Sequence, residues 1–87
     1  MRPQDLYPDL GDLVRSAATA ADRVALVRAE CEVWDTDHLR VDAGTQWGPA
    51  ETHAAAIDDL AAAEEALRAA VGRLEGAWAA IGRLASD

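Results

Sequence analysis

Two stretches of this chain carry apolar side chains at alternating steps of three and four residues. In the first, Leu10, Leu13, Ala17, Ala20, Val24, Val27, Cys31 and Trp34 follow one another in that rhythm. In the second the series is Ile57, Leu60, Leu67, Val71, Leu74, Trp78, Ile81 and Ala85, with the acidic Glu64 holding one of its steps. A period near 3.6 residues places each set on one stripe of an α-helix. Each stripe persists for more than three heptads, whereas alternation of period two is confined to Leu39 and Val41. The pattern predicts an all-α protein built on two long amphipathic helices.

The residues between the stripes predict where the helices stop. Residues 1–8 hold two prolines and no helical period, which predicts an extended lead-in. Asp9 is then the natural N-cap, with Asp12 three residues on to favour the positive end of a helix over 9–35. Turn formers fill 36–48, a long connecting loop that Leu39, Val41 and Trp47 are placed to pin. Gly48-Pro49 restarts the helix, with proline in the first turn where its missing N–H costs nothing and Glu51 close behind, giving a second helix over 49–85. Residues 1–87 therefore read as one domain, an antiparallel two-helix hairpin. Beside the second stripe runs a column of Ala56, Ala63, Ala70 and Ala77, small enough to let a neighbouring helix approach.

Two helices can cover only one stripe of each other, and more than one stripe is apolar here. The first helix adds Val14 and Ala21 beside its seam and Leu26 and Val33 farther round; the second adds Ala55, Ala62, Ala69 and Gly76, and carries Gly72 in its interior. At 87 residues without a disulfide the core of a lone hairpin is thin. These features predict a homodimer that forms a four-helix bundle, with Leu26, Val33, Gly72 and Gly76 near the subunit contact; another helical protein is the alternative partner.

Charge narrows the partners. The net charge of -8 opposes a surface that tracks phosphates, so no nucleic-acid partner is expected. No run approaches the ~20 apolar residues of a membrane span, and the start Met1-Arg2-Pro3-Gln4-Asp5 lacks the apolar segment of a secretory signal; a cytoplasmic protein without membrane contact is expected. The single Cys31 rules out an intramolecular disulfide.

Candidate chemistry is sparse. Glu30, Glu32, Asp35, Asp37 and Asp42 cluster around His38, but Arg40 stands where a calcium loop needs Gly and Gln46 where it needs a bidentate Glu. Cys31, His38 and His53 are potential ligands or a thiol centre, at spacings that match no zinc module. Glu64 on an apolar seam is expected to pair with Arg68 one turn on, or with an arginine across the helix contact, and to set register. No catalytic residue, cofactor or metal is assigned. The function expected is a non-enzymatic protein–protein interaction or scaffold module; the alternatives are a small metal- or thiol-dependent enzyme or sensor using Cys31, His38 and His53, and a small acidic inhibitor or nucleic-acid mimic.

Overall fold

The computed structural model describes residues 1–41 and 48–85. Helix α1 spans Pro3–Glu32, a 3-10 turn follows at Thr36–His38, and helix α2 spans Pro49–Gly82. Among the described residues there is no strand, and the two helices pack against each other antiparallel. None of the described helices is long and apolar enough to cross a membrane.

The start of α1 differs from the sequence expectation. Residues 3–8 are helical rather than an extended lead-in. Pro3 sits at the first helical position, which suits its fixed φ, and Asp5 closes the end: its backbone N–H donates to the Arg2 carbonyl at 3.0 Å while its carboxylate accepts from the Arg2 N–H at 3.2 Å. Pro8 lies inside the helix, in its second turn, and supplies no backbone donor there. The early start brings Tyr7 onto the helix contact.

At the other boundaries the differences are small. The last α1 turn closes with Val33 and Trp34 N–H groups donating to the Glu30 and Cys31 carbonyls. Asp35 then caps the 3-10 turn, its carboxylate accepting from the Asp37 N–H at 3.0 Å. Gly48 and Pro49 open α2 as predicted, with the Gly48 N–H donating to Glu51 at 2.5 Å. The helix ends at Gly82, leaving Ala85 exposed beyond it. Leu39 and Val41 are half-buried; Asp42 and Trp47, the other residues expected to matter in the connection, lie outside the described residues.

The seam of α2 is the predicted one. Ile57, Leu60, Glu64, Leu67, Val71, Leu74, Trp78 and Ile81 are all half-buried. The seam of α1 is so only in part: Leu10, Ala17, Ala20, Val24 and Cys31 of the predicted stripe are buried or half-buried, but the contact is shifted. Its buried residues are Gly11, Val14, Ala21 and Cys31, while Leu13 and Val27, expected inside, keep 53% and 51% of their surface exposed. The contact has turned round the helix by most of one residue step of roughly 100°. At Gly11 of α1 the backbone admits a large side chain of α2: an added Cβ would lie 2.9 Å from the Trp78 ring. Gly82 of α2 faces Tyr7 of α1 in the same way, at 2.8 Å, and the Tyr7 and Trp78 rings stand 5.3 Å apart.

The product is a slab of 64 × 24 × 14 Å, one helix layer thick. Its radius of gyration is 19.3 Å, against about 12 Å for a compact chain of this length.

Candidate interaction surface

Near the middle of the seam the packing turns ionic. Glu64 is the one charged residue of the α2 stripe, and its side chain is only 16% exposed. Arg28 reaches across from α1 and donates to it at 2.7 Å; Arg68, one turn along α2, donates to the other carboxylate oxygen at 3.0 Å. Each arginine also holds an acidic residue of α1: Arg28 pairs with Glu32 at 3.1 Å and Arg68 with Asp22 at 3.4 Å. Both of the partners expected for Glu64 are therefore present, joined in one network with Asp22 and Glu32. The hydrogen bond from Arg28, then that from Arg68, holds the Glu64 carboxyl below the usual carboxylate range against the opposing effect of partial burial. The same contacts raise Arg28, through Glu64 first and Glu32 second, and raise Arg68, chiefly through Glu64.

Sequence alone pointed to Glu64 and Arg68 but not to Asp22, Arg28 or Glu32. An arginine four residues before a glutamate, as at Arg28 and Glu32, is an ordinary helix-surface pair. Only the turned seam of α1 carries Arg28 to the helix boundary.

The proposed ligand or thiol set divides. His53 is half-buried, and its Nε2–H donates to the Cys31 carbonyl at 2.5 Å, satisfying a backbone acceptor in the last turn of α1. Cys31 and His53 also wall an apolar cleft of about 200 Å³ with Trp34, Leu39, Val41 and Pro49. His38 is exposed and its ring pairs with Asp35 at 3.0 Å. Among the described residues no group of three or more His, Cys, Asp or Glu side chains is placed to hold a metal ion. Within the acidic run, Glu32 belongs to the Arg28 network and Asp35 to the cap of the 3-10 turn, so the two do not converge.

The residues expected near a subunit contact are all on the surface. Leu26 and Val33 are 71% and 77% exposed, and an added Cβ on Gly72 or Gly76 meets nothing within 4 Å. By helical period Leu26 and Val33 project from the side of α1 farthest from Val14 and Ala21, and Gly76 from the side of α2 farthest from its seam. They occupy opposite edges of the slab and do not come together within one chain. More apolar surface lies nearer the seam: Leu13 and Val27, at 53% and 51% exposure, share one column along α1 two heptads apart, and Trp34, just past the helix end, is 47% exposed.

Compared with family models, with curated proteins and with solved structures, the chain matches none.

Proposed function

We propose that this chain is a non-enzymatic protein–protein interaction or scaffold module, acting in the cytoplasm through helical packing, and that two copies pair as a four-helix bundle. The observation that carries the reading is surface area. The chain exposes 6430 Å², whereas a compact monomer of 9.2 kDa exposes about 4,900 Å². The surplus, roughly 1,500 Å², exceeds the ~800 Å² that each partner buries in a standard interface and falls in the range of permanent dimers. Part of that surface is the exposed Leu and Val side chains of α1, whose burial against a second helical layer is favourable at about 25 cal/mol per Å². A two-fold pair of such slabs would make two layers, the usual minimum for a domain core. Light scattering on the purified chain at micromolar concentration tests this. The expected mass is twice 9.2 kDa, and a single-chain mass would overturn the proposal.

A further inference from the structure

The two broad faces of the slab are unlike, and the contact between Asp22 and Arg68 shows how they are divided. Asp22 is one residue past buried Ala21 on α1, and Arg68 is one residue past half-buried Leu67 on α2. Their meeting across the helix pair means that a step forward from either seam leads onto the same face. That face is charged: Arg15 follows Val14, Asp58 follows Ile57 and Glu75 follows Leu74. A step backward from each seam leads onto the other face. From α1 it receives Leu13, Ala20 and Val27; from α2 it receives Ala63, Ala70 and Ala77, preceding Glu64, Val71 and Trp78. Neither column contains a charge, and Glu30, Asp59 and Arg73 lie farther round as a rim.

The two columns are also matched in height. Gly11 against Trp78, and Asp22 against Arg68, set the level of α1 on α2. By that register Leu13 is level with Ala77, Ala20 with Ala70 and Val27 with Ala63. A two-fold axis parallel to the helices lays a second slab face to face on the first, with each α1 over the partner's α2 at the same level. Every large side chain of α1 then stands over an alanine, so the two layers keep one spacing along their length. The perpendicular two-fold axis would set α1 on α1, with Leu13 against Val27 of the other copy, and alanine on alanine elsewhere, giving wide and narrow contacts in one interface.

Resting on the dimer proposed above, we infer that the subunit contact is this uncharged face, with the Leu13–Val27 column of each α1 seated on the alanine column of the other copy's α2. The occupant is a second copy because the surplus of accessible surface matches a permanent interface in area and the face fits itself in register. Leu26, Val33, Gly72 and Gly76 then stay outside the contact.

Cross-linking tests the face separately from the dimer. In a Cys31→Ser background, a Val27→Cys chain and an Ala63→Cys chain should form a covalent heterodimer when mixed and oxidised, and neither should cross-link alone. Disulfide formation needs Cα atoms within about 7 Å, a limit that adjacent levels of the same column exceed. Self-linking of Ala20→Cys would show the perpendicular stacking and overturn the inference. So would a dimer by light scattering that the mixed pair fails to cross-link, with the dimer itself upheld. A single-chain mass would instead remove the dimer. As a second variant, Ala70→Arg buries an unpaired charge at the centre of the face and should weaken association at least about tenfold, while Ala62→Arg on the outer edge of α2 should leave it unchanged.

Discussion

The two halves of the helix contact hold the same register by different means. Near the chain termini the lock is steric: Trp78 seats on Gly11, Tyr7 on Gly82, and the two rings face each other. Toward the connection it is polar, through the Arg28–Glu64–Arg68 network and the bond from His53 to the Cys31 carbonyl. The steric half depends on complementarity at the scale of a single methyl group and is indifferent to pH and salt. The polar half tolerates small changes of shape but answers to protonation and screening. A thin hairpin with few buried side chains therefore gains specificity from two sources that fail under different conditions.

The comparison is most easily broken at Trp78. Trp78→Ala empties the steric half and should cost about 3 kcal/mol, read by urea denaturation, because a large aromatic is lost with no neighbour free to fill the space. A loss no larger than that of an exposed alanine substitution would show that the ring does not anchor the contact.

Gly11→Ala comes next. Alanine is the better helix former by about 1 kcal/mol, yet its Cβ would press on the Trp78 ring, and overpacking of this kind costs about 1–3 kcal/mol. A net destabilisation is expected, and a stabilised variant would contradict the close approach.

In the polar half, His53→Ala leaves the Cys31 carbonyl without its side-chain donor and should cost about 1 kcal/mol, with slower protection lost first in the last turn of α1 by hydrogen exchange. Gly76→Ala reverses the sign. Its site is open, so only the helix-propensity gain remains, and a rise in stability of about 0.5–1 kcal/mol is expected in thermal melts. Opposite signs at Gly11 and Gly76 would confirm which glycines the packing needs.

The smallest effect at neutral pH is expected for Glu64→Gln, which keeps the shape and removes the charge. Its signature is pH dependence. The folded-state pKa of Glu64 is depressed relative to the unfolded chain, so its contribution is complete above the ordinary carboxylate value and is lost as pH falls through the folded-state value. Below about pH 4.3 the unmodified chain should lose stability more steeply than the variant, and added salt should narrow the gap at higher pH. Parallel acid profiles would remove the network from the account.

Much of this fold is visible in the order of residues. The α2 seam from Ile57 to Ile81 contains large side chains at one angular position with alanine on the adjoining column, so periodicity leaves a single candidate for the inward face. Glu64 stands out within it because a lone carboxylate among leucines needs a cation, and Arg68 is in reach by helical spacing alone. Gly48-Pro49 marks a helix start by backbone chemistry that no distant contact overrides.

For α1 the order of residues determines a helix with a wide apolar sector, and it goes no further. Both the Leu13–Val27 edge and the Val14–Ala21 edge satisfy the same period; choosing between them depends on the partner's side chains. The bulk of Trp78 is accommodated at Gly11, and fully buried Ala21 lies on the same face of α1, which leaves Leu13 and Val27 outward and brings Arg28 to Glu64. Likewise Pro3 and Pro8 read as helix breakers until the capping contacts of Asp5 and the seat of Tyr7 on Gly82 are in place. Period is a property of one helix, recorded locally in the chain; the rotation of that helix is a property of the pair, decided by which volumes fit together.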